Sequence, residues 1–138
     1  MNNIEYIKDN DLLMAIIIPS DSESDGINFV TPDEYPLQLG ILNFAYQHKI
    51  QPHIHSTRKA SEQIAQEVLF VKKGKLKINF YNNQKQYLFS RFISKGDFIL
   101  LASGGHGFEM LEDCQLIEVK QGPFIKDDKI RFDPEDSV

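Results

Sequence analysis

Gln51-Pro52-His53-Ile54-His55, followed twelve residues beyond His55 by Glu67-Val68-Leu69-Phe70-Val71-Lys72-Lys73-Gly74, decides the fold of this 138-residue chain. Successive side chains of a strand point to opposite faces, so His53 and His55 face one way and Ile54 the other. Two imidazoles about 6–7 Å apart along one strand face can converge on one cation. Pro52 suits a strand start or an edge, where no ladder N–H is required. Glu67 shares its face with Leu69 and Val71, so a core position for those two aims a carboxylate inward. Coordination to a cation is one of the few ways to offset that burial. Further on, a strand from Phe98 enters the turn Gly104-Gly105 and emerges at His106, which shares its face with Phe108 and Met110. Three histidines and one glutamate on inward faces would occupy four positions around a metal. An octahedral ion then keeps two positions for water, substrate or dioxygen.

Outward from these segments the chain is punctuated at short intervals, at Asp25-Gly26, Lys73-Gly74, Asn82-Asn83, Lys95-Gly96 and Gly122-Pro123 among others. Between the turns lie short runs rich in Ile, Val, Phe, Tyr and Leu, which read as strands. Leu76, Ile78 and Phe80 alternate with Lys75, Lys77, Asn79 and Tyr81. Asn82-Asn83 offers left-handed conformations for a tight turn, and Gln86 to Ile93 returns as the partner strand. Phe98 to Leu101 and Gln115 to Lys120 read as more fully buried strands. Asp9 to Ile18 holds three consecutive isoleucines and reads as a strand. Ser56 to Gln66 reads as a loop with one helical turn at most, too short for a stable helix. Many short strands at regular spacing imply an all-β sandwich or barrel.

One domain accommodates this length. Fifteen Lys plus Arg against twenty Asp plus Glu give a net charge of −5, which argues against a nucleic-acid or membrane-surface partner. The single cysteine, Cys114, forms no internal disulfide, the apolar run Leu12 to Ile18 is too short to span a bilayer, and the N-terminus lacks a secretory pattern. A cytoplasmic location is therefore expected.

The chain resembles a small single-domain cupin, over roughly Gln38 to Phe124. The first cupin motif runs from a glycine through His-x-His to a glutamate and a second glycine. His53-Ile54-His55 matches the pair, and Glu67 with Gly74 matches the closing spacing. Gly96, Gly104 and His106 match the second motif. Gln47 stands where the opening glycine belongs, Ala102 replaces a proline, His106 arrives one residue early, and Met110 takes the place of the terminal asparagine. Eleven residues, Ser56 to Gln66, separate His55 from Glu67 where the family has three or four, and Glu62 lies nearer the usual distance. Glu67 is preferred because the strand after it and Gly74 fix its register. The resemblance implies an all-β double-stranded β-helix, or jelly-roll barrel, with a divalent metal (Fe, Mn, Ni or Zn) in its wide end. It also implies a homodimer formed through N-terminal strands. The expected layout is one domain: N-terminal strands at 1–37, barrel motifs at 38–124 and a polar tail at 125–138 that frays beyond Phe132.

The remaining polar residues divide plainly. His48 shares no parity with His53 and is expected as an exposed strand-end residue. Cys114 is expected as a buried small hydrophobe. Arg58 and Lys59 either solvate a loop or reach over the barrel mouth to an anionic substrate. Arg91 is a weaker candidate, and Phe108 is a candidate to narrow the pocket. Two functions follow: a metal-dependent enzyme, of isomerase or oxygenase type, acting on a small polar or anionic molecule, or a non-catalytic module that binds or senses a small ligand through its metal. The segments Gly107 to Cys114 and Glu118 to Phe124 resemble small cupins of bacterial surface-sugar biosynthesis, which implies a sugar-derived ligand.

Overall fold

Leu76 and Ile78 are fully buried while Lys75 and Lys77, which alternate with them, face outward, and this two-residue period repeats through the strands that build the barrel. The computed structural model describes residues 3–55, 57–58, 63–64, 66–123 and 129–134. In chain order the strands are β1 (Glu5–Asp9), β2 (Leu12–Ile17), β3 (Gly26–Phe29), β4 (Leu37–Phe44), β5 (Lys49–His55), β6 (Thr57–Arg58) and β7 (Gln63–Ile64). There follow β8 (Glu67–Lys73), β9 (Lys75–Tyr81), β10 (Tyr87–Ser94), β11 (Phe98–Leu101), β12 (Gly105–Met110), β13 (Cys114–Gln121) and β14 (Lys129–Arg131). Ten of them form two five-stranded sheets, β10-β9-β12-β5-β14 and β11-β8-β13-β4-β3, in which every pairing is antiparallel. Leu42, Leu69, Val71 and Leu116 of one sheet meet Leu76, Ile78, Phe108 and Met110 of the other in one apolar core. This is the jelly-roll architecture expected from the sequence.

The first sheet is deformed where it matters most. His106 pairs with His53 and Phe108 with Ile50, so Gln51 and Pro52 together oppose Gly107 alone. This is a β-bulge, the one interior location in a sheet where proline is tolerated. Pro52 is thus neither at a strand start nor on an edge. A Cβ on Gly107 would meet Pro52 Cγ at 2.9 Å and the Ile50 carbonyl oxygen at 3.2 Å, so the proline ring occupies the space the glycine leaves. The extra residue also reverses parity, which puts Ile50 on the same face as His53 although they are an odd number apart.

Several local readings change. β11 is an edge strand, not a fully buried one: Phe98 is 70% and Leu100 58% exposed, because only Ile99 and Leu101 face the other sheet. A continuous apolar run conceals this alternation. In the β9–β10 turn the left-handed residue is Lys85, at φ 65°, while the Asn82 side chain accepts from the N–H groups of Gln84 and Gln86. The partner strand runs from Tyr87 to Ser94. In the long insertion β6 pairs with β7, and residues 56, 59–62 and 65, on which the expected helical turn falls, lie outside the described set. The C-terminal stretch contributes β14 to the first sheet, and Phe132 after it is buried. Of the stretch beyond Phe132, where fraying is expected, residues 135–138 lie outside the described ones. The N-terminal β1–β2 hairpin forms its own small sheet, joined to the barrel where the Tyr6 hydroxyl donates to the Val30 carbonyl. No helix among the described residues is long and apolar enough to cross a membrane.

Gln47 occupies the left-handed region at φ 71° and its N–H donates to the Met110 carbonyl, holding the turn before β5. That conformation explains a glycine preference at this position. Replacing Gln47 with Gly relieves strain of about 1–2 kcal/mol against about 0.4–1 kcal/mol of added unfolded-state entropy. The Gln47→Gly variant is expected to melt above the parent in a thermal scan. Gly107→Ala is expected to cost about 1–3 kcal/mol through overpacking against Pro52, read by denaturant unfolding. A variant as stable as the parent would show that the bulge accommodates a side chain.

Candidate metal centre

His53 and His55 project inward from β5 on one face, and His106 lies directly across from His53 on β12. Glu67 opens β8 on the facing sheet, where it pairs with Leu101 of β11 and Lys120 of β13. All four are buried, at 3%, 7%, 3% and 7% exposure for His53, His55, His106 and Glu67. One ligand atom from each lies within 4.8 Å of all the others. The donors therefore come from both sheets and close the space between them.

Hydrogen bonding orients the donors. The His53 Nδ1–H donates to the Gln51 carbonyl at 2.8 Å, across the bulge, which leaves Nε2 as the ring's free lone pair. His55 Nε2 bonds to Glu67 Oε1 at 2.6 Å. His106 Nε2 lies 3.3 Å from the same oxygen without forming a hydrogen bond, and is an orphaned buried polar atom. Buried polar atoms are ordinarily satisfied, and a nitrogen left so in a cluster of nitrogen and carboxylate donors suits a cation. Burial depresses the His53 imidazole from 6.5 to about 3, and the neighbouring His106 pushes the same way. His53 is thus neutral at physiological pH, the form that ligates metal. Burial alone would raise the Glu67 carboxyl. The hydrogen bonds with Glu118 and His55 and the close approach of the His106 ring outweigh it and hold the carboxylate below the ordinary range. Three imidazoles and an ionised carboxylate make a donor set suited to a divalent cation.

Glu118 is the residue that sequence reasoning missed. It is 8% exposed on β13, across from Leu69, and its carboxyl hydrogen-bonds to Glu67. Burial, then the hydrogen bond and charge of Glu67, push it well above the ordinary carboxyl range. Glu118 therefore holds its proton to higher pH than an ordinary carboxyl, and in its protonated form it donates to the Glu67 carboxylate. The signal was present in the strand: Leu116 and Glu118 share a parity, so a buried Leu116 implies an inward carboxyl, as Leu69 does for Glu67.

Other candidates separate by position. Phe108 is buried in the core, with its ring centroid 5.5 Å from that of His106. His48 is exposed as expected, yet the bulge gives it the face of His53, and its ring stacks on Phe44 at 4.7 Å. Cys114 is buried and carries no bond to another sulfur. Arg91 is exposed on the edge strand β10, with its guanidinium 4.7 Å from the Phe89 ring centroid. The side chain of Arg58, with Lys59 and Glu62, lies outside the described residues. A cavity of about 250 Å³ adjoins the cluster, reached by His53, Glu67, Glu118 and Phe108 and walled by Leu69 and Leu116. A larger depression of about 510 Å³, lined by Lys77, Asn79, Tyr81, Tyr87 and Glu109, touches none of the four cluster residues.

Comparison with known proteins places the architecture. No family profile and no curated protein matches the sequence. Among solved structures, a Trp-to-Phe variant of Bacillus subtilis oxalate decarboxylase superposes with a TM-score of 0.61 at 17% identity, over 82% of this chain. This chain spans only 31% of that one. KdgF from Halomonas sp. superposes with a TM-score of 0.55 at 20% identity, over 73% of this chain and 80% of its own. A cupin-2 domain protein from Shewanella frigidimarina gives 0.54 at 14% identity, over 75% and 87%. The chain has the cupin fold.

A raised carboxyl pKa means that the folded state binds a proton which the unfolded chain releases above 4.5. Stability from Glu118 is thus present below pH 4.5 and is lost as pH rises toward its folded value. Glutamine keeps a donor for Glu67 and does not titrate. The metal-free Glu118→Gln variant is expected to melt above the parent at about pH 8, with the difference shrinking toward acid. A melting temperature no higher than the parent's there would mean that the fold does not raise the Glu118 carboxyl. His53 acts in the opposite sense: its contribution is complete above 6.5 and is lost as pH falls toward about 3.

Proposed function

We propose that this cupin binds a divalent metal through His53, His55, Glu67 and His106 and is a metal-dependent enzyme, of isomerase or oxygenase type. Its substrate on this reading is a small polar or anionic molecule, such as a sugar derivative. The observation that carries it is the convergence of four buried ligand atoms within 4.8 Å of one another beside a cavity. A divalent cation held by His53, His55, Glu67 and His106 would supply Lewis acidity toward a substrate oxygen. The chain's own residues perform the remaining tasks. The His53 Nδ1–H bond to Gln51 fixes the ring orientation, and the Glu118 hydrogen bond steadies the Glu67 carboxylate. Phe108, Leu69 and Leu116 present an apolar wall that limits water around a bound ligand. A cavity of about 250 Å³ lies below the roughly 300–1,000 Å³ typical of drug-sized ligands. It therefore favours a small substrate. Oxalate decarboxylase, of the same fold, is named for a small carboxylate, which supports an anionic one.

The second reading, a non-catalytic metal-dependent binding or sensing module, also has an observation behind it. Glu118, the one carboxyl of the cavity outside the four donors among the described residues, is engaged with Glu67. A homodimer through the N-terminal strands belongs to the same proposal, supported by Leu12 and Met14 at 67% and 64% exposure on the β1–β2 hairpin.

Elemental analysis after chelator-free purification, and after anaerobic loading with Fe(II), Mn(II), Ni(II) and Zn(II), is expected to find about one equivalent per chain. Glu67→Ala is expected to weaken binding by at least about 10–100-fold, while Glu62→Ala leaves it unchanged. Retention by the Glu67 variant with loss by the Glu62 variant would reassign the carboxylate. Absence of metal from the parent under every loading condition would overturn the metal reading. Oxygen uptake or turnover across a panel of small acids and sugars separates the enzyme from the binder.

A further inference from the structure

The C-terminal strand places two cations where the sequence pattern alone suggested none. β14 adds to the outer edge of β5 with Lys129 across from His55 and Arg131 across from His53. Directly opposed residues of an antiparallel pair project to the same face. Lys129 and Arg131 therefore share the inward face of the two histidines, while Ile130, across from Ile54, points outward and is 48% exposed. Both cations line the cavity beside the cluster. The charge of Lys129 also acts on His53 and on Glu118, which line the same cavity. Among the described residues neither cation makes an ion pair, whereas Lys49 at the same rim lies 3.6 Å from Glu109. In a chain of net charge −5, two cations that face a donor cluster and have no carboxylate partner among the described residues are poised for an incoming anion.

The strand is also held in place. Phe132 is 5% exposed, its ring meets Tyr81 edge-on at 5.1 Å, and its N–H donates to the Pro52 carbonyl at 3.0 Å. The Gln51 side chain donates to the Phe132 carbonyl at 3.3 Å. These contacts anchor β14 to the bulge that orients His53, so the cations and the donor cluster share one frame. A rigid frame lowers the ordering cost of binding.

We propose that β14 is an anion-recognition strand, in which Lys129 and Arg131 bind the carboxylate of a small carboxylic acid whose remaining oxygens face the His53–His55–Glu67–His106 centre. This deepens the function proposed above and rests on its assignment of the cavity as the substrate site. The cavity volume suits a carboxylate of a few carbons, and the planar guanidinium matches a carboxylate fork. Phosphate shares that chemistry, and the experiment separates the two.

Malonate and inorganic phosphate serve as probes, titrated by calorimetry at fixed ionic strength into the metal-free chain and into the chain loaded with Mn(II). The Lys129→Gln/Arg131→Gln double variant is expected to bind malonate at least about tenfold more weakly in both forms, with unchanged Mn(II) content. Lys95→Gln, which removes a cation from a distant turn, is expected to bind like the parent. The single variants Lys129→Gln and Arg131→Gln give the same readout if the double variant does not fold. Parent-like malonate affinity in the β14 variants overturns the proposal, as does a parent that binds neither probe in either form. Tighter binding of phosphate than of malonate overturns the carboxylate assignment. If Mn(II) fails to load while the metal-free variants still lose malonate affinity, the metal reading fails and the β14 assignment stands.

Discussion

An ionised carboxylate inside a β-barrel is the constraint to which the surrounding architecture answers. An unpaired ion at the depth of Glu67 costs several kcal/mol in desolvation, and hydrogen-bonded partners must offset it. His55 of β5, His106 of β12 and Glu118 of β13 surround this one side chain on β8. The partners come from both sheets, so the position of Glu67 couples the sheets at this end of the barrel. Burial and the neighbouring Glu67 charge favour the protonated form of Glu118, in which the pair carries one negative charge in place of two. The cluster therefore presents one anion and three imidazoles. That balance leaves room for a divalent cation.

A second constraint is register. Side chains alternate along a strand, so a slip of one residue would turn His53 and His55 away from His106. The bulge of Gln51 and Pro52 opposite Gly107 determines which residues meet, and it supplies the Gln51 carbonyl that accepts from His53. The same Pro52 carbonyl then receives the Phe132 N–H, fixing the start of the C-terminal segment. Metal donors, cavity wall and cationic strand thus share one short piece of deformed backbone. An irregularity that looks like a defect in the ladder is what aligns the site.

Much of this was legible in the residues. His53 and His55 were readable as a pair because period two is a local property of extended chain. Glu67 was readable because Leu69 and Val71 shared its parity. Other parts were obscured for equally physical reasons. The parity rule placed His48 away from His53, but a bulge adds a residue to one strand and so inverts the rule beyond it. Phe98 to Leu101 read as buried, although an apolar run on an edge strand leaves every second side chain exposed. Glu118 obeyed the rule that identified Glu67 and was lost in a strand treated as uniformly apolar. The insertion read as a loop pairs its ends as β6 and β7, a contact that no single-strand pattern encodes.

The sequence by itself determined an all-β chain with a metal-ligand pattern, since alternation and turn chemistry are set by neighbours along the backbone. Only the tertiary structure decided which residues share the cavity. Glu118 meets Glu67 because β13 lies beside β8, and Lys129 and Arg131 face the histidines because β14 lies beside β5. In sequence those partners are separated by fifty residues or more. Cross-strand neighbours are chosen by sheet order and register, which follow from burying the whole apolar surface at once, and no local pattern carries that information.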